Sequence, residues 1–234
     1  MVFKLRQRGR QVSSMKETVY QTIRERILYL EYTPGQILNE KILAQEFGMS
    51  RSPIKDVLNR LEWDQLVRVI PRTGSMVTEI EFSMAMHVYQ VRFEIESFEA
   101  SLAEKQFTAK HRARLKALVE SCNKLLKSED SKGLAKIDTA MREIVHDAAG
   151  NPVLADVSDR LYSQTFRLWY SVMAKSDWQE ELMAVQRDLE NQLAYLESEM
   201  HSTNSPSLTQ LVRRLSLCLR LCWRMYVCSC SYGR

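Results

Sequence analysis

No apolar run in this chain of 234 residues approaches the ~20 that a bilayer-spanning helix needs, and its start lacks the continuous apolar segment of a secretory signal. The expectation is a cytoplasmic protein with no membrane partner. Its seven glycines are scattered, so there is no glycine-rich loop to cradle a phosphate. Cysteine is sparse and odd in number: Cys122, Cys218, Cys222, Cys228 and Cys230 argue against a disulfide framework. Four of them crowd near the C-terminus, with Cys218 and Cys222 one helical turn apart. A thiolate site or redox switch stays open there, against the simpler reading of small buried thiols on a last helix. Internal repeats and low-complexity blocks are also missing. With no nucleophile motif, metal-ligand set or cofactor loop, an enzyme is not expected, and a helical enzyme whose basic N-terminal module is only a tether is the remote alternative.

The length suggests two domains, one of them with a substantial core. Charge divides between them. Residues 1–80 hold 13 Lys and Arg against 9 Asp and Glu, while the other 154 residues hold 20 of each. The whole formal excess of four therefore lies in the first third, which favours a polyanionic partner for that part. Lys4, Arg6, Arg8 and Arg10 read as a basic flexible tail over 1–14, either simply solvated or reaching phosphates, with Met15 as an alternative start.

The stretch from Thr33 to Val77 is the most specific. Residues 38–47 read as a short amphipathic helix with Ile42, Leu43 and Phe47 on its apolar side, ended by Gly48. Residues 50–61 read as a second helix, with Ser50 or Ser52 as N-cap and Pro53 in the first turn. Ile54, Val57, Leu58 and Leu61 recur at helical offsets, which turns Arg51, Lys55 and Asn59 outward. Two β-rich runs, 67–70 and 76–78, flank the turn cluster Pro71-Arg72-Thr73-Gly74-Ser75. A major groove admits one helix and meets its N-terminal residues, and a hairpin tip with Arg72, Thr73 and Gly74 suits a phosphate or minor-groove contact.

In order, Pro34-Gly35, Leu38, Glu40, Leu43-Ala44, Gly48, Ser50-Arg51, Pro53, Leu58, Arg60-Leu61 and Gly74 resemble the winged helix-turn-helix of the GntR family of bacterial transcription regulators. The resemblance covers residues 15–80 and implies three helices plus a β-hairpin wing. It also implies DNA contacts by Lys41, Ser50, Arg51, Ser52, Lys55, Thr73 and Gly74. Two positions depart from the pattern. Lys55 stands where the family has arginine, and a lysine neutralises a phosphate but cannot fork onto guanine. Gln65 stands where the family has a glycine before the first wing strand.

From residue 83 the apolar periodicity is helical almost throughout. Six helices are expected, over 83–105, 109–128, 132–149, 152–174, 177–199 and 206–228, with Asn151-Pro152 as a cap and first-position pair. Tyr89, Tyr162, Phe166, Trp169 and Tyr170 are first of all core. The fold class is thus mainly α: the winged unit, a short linker at 78–82, and an all-α bundle over 83–234.

Arg92-x-x-x-Glu96 and the Ala148-Ala149-Gly150-Asn151-Pro152 turn resemble the FCD domain of the FadR subfamily, which binds an effector and dimerises. Many such domains hold a metal with an aspartate, a histidine four residues on, and two histidines from the last two helices. Asp138 matches the first ligand, but Arg142 and Gln186 occupy the next two places and the fourth falls near Leu215 or Ser216. A guanidinium has no lone pair to give a metal. The implied metal site is therefore lost and no cofactor is expected. Asp138 and Arg142, four apart on a helix, are expected to pair. Arg92 and Arg142, with Asp138 and Gln186, are then expected to hold a small carboxylate or phosphorylated metabolite. His146 is either a substitute ligand or an ordinary surface or hydrogen-bonding residue. The whole reads as a homodimeric regulator of a palindromic operator, with double-stranded DNA and a small anion as partners. The alternative is a constitutive DNA-binding protein whose pocket is closed by an ion pair.

Overall fold

Residues 2–126 and 131–173 are described by the computed structural model, together with helical backbone at 182–183, 185–187, 189–191 and 193–194. The backbone divides into two units, Met1–Phe82 and Ser83–Arg234.

The first unit runs α1 (Val2–Leu28), β1 (Ile37–Leu38), α2 (Glu40–Glu46), α3 (Arg51–Trp63), β2 (Val67–Ile70) and β3 (Gly74–Val77). Residues 2–14, expected as a flexible tail, instead form the first turns of α1. The stretch has no proline and a single glycine, and its Leu, Arg, Gln and Lys are good helix formers. Further along, Val19, Tyr20, Ile23 and Ile27 are buried at helical spacing.

The second helix starts later than the periodicity suggests. The Asn39 side-chain oxygen accepts from the backbone N–H groups of Lys41 at 2.8 Å and Ile42 at 3.4 Å, which fixes the cap. Leu38 is left to β1, paired with Ser75 of β3. The buried face of α2 consists of Leu43 and Ala44, while Ile42, expected on the apolar side, is 62% exposed. On α3 the expected stripe of Ile54, Val57, Leu58 and Leu61 is buried in full.

α2 and α3 end in the same way. At each end the residue after the cap is left-handed, Gly48 at φ 61° and Gln65 at φ 61°. Two backbone N–H groups close each turn, Gly48 to Gln45 O and Met49 to Ala44 O, then Gln65 to Glu62 O and Leu66 to Leu61 O. Gln65 thus explains the family's glycine, since a side chain costs about 1–2 kcal/mol in this conformation. Gln65→Gly is expected to raise stability by about 0.5–1 kcal/mol after the added freedom of the unfolded glycine is subtracted. Urea unfolding of the full chain measures this, and an unchanged midpoint would remove the strain argument.

The wing is a three-stranded antiparallel sheet of order β1-β3-β2 rather than a lone hairpin. Its inner strand begins at Gly74, two residues before the β-rich run suggested, because Ile70 pairs with Gly74 and Val67 with Val77.

The second unit contains α4 (Phe82–Gln106), α5 (Ala109–Leu125), α6 (Ser131–Ala149) and α7 (Pro152–Met173). These lie close to the expected helices. Thr108 and His111 cap α5 reciprocally, and the Asn151 side chain accepts from Leu154 N–H at 3.1 Å at the start of α7. Leu115, Cys122, Leu134, Ile144, Phe166 and Trp169 are buried. Burial pushes the Cys122 thiol up to about 11, so it is an inert core residue. The expected helix over 206–228 and the four C-terminal cysteines lie outside the described residues.

Candidate DNA-binding surface and the buried polar cluster

α3 presents Arg51, Ser52, Lys55 and Asn59 to solvent on the side opposite its buried stripe. Ser50 is the N-cap by backbone conformation, but its hydroxyl makes no capping hydrogen bond and is left exposed. Lys41 is exposed in the first turn of α2. Arg72 and Thr73 are exposed in the turn between β2 and β3, which Thr73 N–H closes onto Ile70 O at 3.1 Å. Gly74 begins β3 and is half-buried.

Two groups of cations stand out in this unit. One is spent on holding the helices together. Lys16 pairs with Asp56, Glu17 with Arg60 at 2.6 Å, and Arg26 with Glu46 at 2.5 Å. Arg60 also lies 3.6 Å over the ring of Tyr20, whose hydroxyl donates to Asp64 at 2.6 Å. Burial and the Asp64 contact raise the Tyr20 pKa, so it remains a neutral donor. The other group is Lys41, Arg51, Lys55, Arg68 and Arg72, which among the described residues are exposed and make no ion pair. Uncommitted charge thus sits at the start of α2, at the start of α3 and along the wing, where a polyanion would find it.

In the second unit a polar cluster ties α4, α6 and α7. Arg92 is 1% exposed and donates to Glu96 Oε1 through Nε at 2.9 Å and Nη2 at 2.6 Å, and to Thr165 Oγ1 at 2.6 Å. Arg142, 8% exposed, donates to the same Glu96 oxygen at 3.0 Å, to Ser158 Oγ at 3.1 Å and to Asp159 Oδ1 at 3.3 Å. Its guanidinium stacks 4.1 Å over the Tyr162 ring. His146 sits between Glu99 and Asp159, the latter at 3.1 Å. Burial opposes its charge, but the bonds to Asp159 and Glu99 outweigh that and raise its pKa from 6.5 to about 9, so it is a cation at neutral pH. Burial likewise opposes the charge of Arg142, and Glu96 more than restores it.

Two sequence expectations are corrected here. Asp138 and Arg142 form no ion pair. Tyr162 OH donates to Asp138 Oδ2 at 2.6 Å, and burial raises the Asp138 pKa, while Arg142 turns to Glu96, Ser158 and Asp159. The neighbours from α4 and α7 offer the guanidinium several acceptors at once, which the helical pairing with Asp138 cannot match. Gln186 is also apart from the cluster, donating to Asn123 of α5 at 3.1 Å and to Glu190 at 2.9 Å. Glu99, Ser158, Asp159 and Thr165 were not anticipated. The available signal was that Arg92, Glu96 and Glu99 share one helix face by their spacing of four and three.

The space left among Arg92, Glu96, Glu99, Asp138, Met141, Arg142, Val145 and His146 is about 20 Å³, room for a water and not for a metabolite. The donor set does not suit a metal: a guanidinium stands at the second ligand place, and Asp138 is already held by Tyr162. Among the described residues no group of three or more His, Cys, Asp and Glu is placed to hold one.

Three helices, a cationic helix start and a β wing have the layout of a winged-helix DNA-binding domain, followed here by an all-α unit. Residues 15–77 match the model of bacterial regulatory proteins of the gntR family, and residues 87–194 match that of the FCD domain. The chain belongs to the GntR family, with an FCD domain as its second unit. It is 25% identical over 129 residues to the HTH-type transcriptional regulator McbR of Escherichia coli K12, covering 55% of this chain and 58% of that protein. It is 24% identical over 144 residues to the uncharacterized HTH-type transcriptional regulator YdhC of Bacillus subtilis, covering 61% and 64%. These matches span less than two thirds of either relative. The solved structure of E. coli McbR/YncC has the same fold, with a TM-score of 0.74 at 19% identity over 92% of this chain and 95% of that one. A GntR regulator from Rhodococcus sp. RHA1 superposes with a TM-score of 0.66 at 16% identity over 91% and 98%.

Proposed function

We propose that the chain reads a palindromic operator as a homodimer, with the start of α3 in the major groove and the wing tip against the adjacent backbone or minor groove. The observation that carries this is the set of cations at Lys41, Arg51, Lys55 and Arg72, which are exposed and make no ion pair among the described residues, whereas Lys16, Arg26 and Arg60 are paired across helices. Arg51 has the fork geometry that reads guanine, whereas Lys55 supplies charge. Arg51→Ala is expected to cost about 1–3 kcal/mol on the operator and to relax base preference. Lys55→Ala is expected to weaken binding to all sequences alike and lower the salt slope by about one. Fluorescence anisotropy on operator and random duplexes over a salt series separates the two. Equal losses on both duplexes for Arg51→Ala would contradict its assignment.

For the helical unit we propose a metal-free sensor in which a small carboxylate or phosphorylated metabolite engages Arg92 and Arg142 and shifts operator affinity. Its support is a pair of buried guanidiniums on one side chain, in a place where a metal has no suitable donors. The 20 Å³ cavity favours a second reading, a constitutive regulator with a sealed pocket. Operator binding titrated with carboxylates and sugar phosphates, with and without chelator, distinguishes them. A chelator-insensitive shift supports sensing, and unchanged affinity throughout supports the sealed pocket.

A further inference from the structure

We infer that Glu96 is an internal carboxylate seated in the anion site of Arg92 and Arg142, and that a ligand carboxylate binds there by taking its place. The inference rests on the sensing function proposed above and states how that site is controlled. Glu96 Oε1 accepts from Arg92 at 2.6 and 2.9 Å and from Arg142 at 3.0 Å. Two buried guanidiniums brought onto one oxygen repel each other when no anion lies between them, so a vacant seat is destabilising. Each arginine is also held from outside the seat: Arg92 by Thr165, and Arg142 by Ser158 and Asp159. The donors therefore keep their places when the side chain of Glu96 swings away, and the seat is preorganised.

Space and charge both require exchange rather than addition. A cavity of about 20 Å³ admits no ligand head beside Glu96, and a second anion there would face a like charge across a few ångströms. Replacing one carboxylate with another keeps the charge balance and the fork geometry that guanidinium offers to a planar carboxylate. It also breaks the Glu96–Arg142 bond between α4 and α6. The ligand thereby favours a different relation of those helices, which is the differential contact an effector needs.

Glu96→Ala deletes a group the size of acetate, which makes sodium acetate the probe. Thermal unfolding of the full chain is followed in acetate and in chloride at equal ionic strength. Glu96→Ala is expected to melt lower than wild type in chloride and to recover saturably in acetate, by about 3–5 °C at ten times its dissociation constant. Wild type, whose tethered carboxylate already holds both guanidiniums and outcompetes dilute acetate, is expected not to respond at the acetate concentrations that restore Glu96→Ala. Should Glu96→Ala fail to fold unaided, its recovery from urea in acetate and in chloride is compared instead, with recovery confined to acetate supporting the seat. Equal midpoints or equal recovery in the two salts, or an equal acetate shift in wild type, would overturn it. Operator binding by wild type is measured separately. Acetate rescue with no metabolite effect on DNA would retain the seat and discard sensing, while a metabolite effect without rescue would do the reverse.

Discussion

Arg142→Ala is expected to lower the stability of the helical unit by about 3–5 kcal/mol, the cost of removing one member of a buried, hydrogen-bonded charge cluster. The substitution takes a donor from Glu96, leaves the buried Ser158 hydroxyl without this partner, and empties the space over the Tyr162 ring. Asp159 contributes less, because its side chain is half-exposed and water takes over its lost contact. Arg142→Lys is expected to recover only part of the loss. An ammonium on a flexible stem cannot span Glu96, Ser158 and Asp159 as the planar fork does, nor stack on Tyr162 in the same way. Calorimetry of the three proteins gives the comparison. A loss below about 1 kcal/mol for the alanine variant would mean that α4, α6 and α7 are held by apolar packing, with the polar cluster incidental.

Gly74→Ala is expected to cost about 2–4 kcal/mol and to weaken DNA binding with it. At φ 136° the residue occupies a region essentially reserved for glycine, a strain of about 1–3 kcal/mol for any side chain. A Cβ there would also lie 2.8 Å from the backbone oxygen of Leu38, which cannot rotate aside as a side chain can. Relief requires β1 to part from β3, and the Ile37–Met76 and Leu38–Ser75 pairs go with it. The wing tip then loses its support. The checks are urea unfolding and anisotropy on the operator, and a variant as stable as wild type would show that the sheet yields at no cost.

The parts of the structure that sequence made legible are those fixed within a few residues. The stripe of Ile54, Val57, Leu58 and Leu61, the Asn151-Pro152 start of α7 and the core role of Phe166 and Trp169 follow from local spacing and cap chemistry. Leu38 escaped because a two-residue strand has no period to detect, and its place is decided by Ser75 in another strand. Ile42 escaped for a related reason, since the Asn39 cap and the strand before it set the rotation of a seven-residue helix. In the polar cluster, Arg92, Glu96 and Arg142 were singled out through the resemblance to the FCD domain, but the contacts that join them were not. Glu96 lies 46 residues from Arg142 in the chain and Thr165 lies 73 from Arg92. Such acceptors are known only once helices have packed. The same packing turned His146 from an open choice between a substitute ligand and a surface or hydrogen-bonding residue into a bridge from Glu99 to Asp159.

The ties between α1 and α3 set the size of the smallest transferable DNA reader. Lys16, Glu17 and Tyr20 reach Asp56, Arg60 and Asp64, one contact for each turn of α3. Val19, Ile23 and Ile27 of α1 are buried. A graft beginning at β1 would carry Lys41, Arg51, Lys55 and the wing yet omit the brace that fixes the pitch of the helix bearing them. Modular reuse of this recognition surface therefore has to begin ahead of Lys16, so the portable unit is longer than the motif that names it.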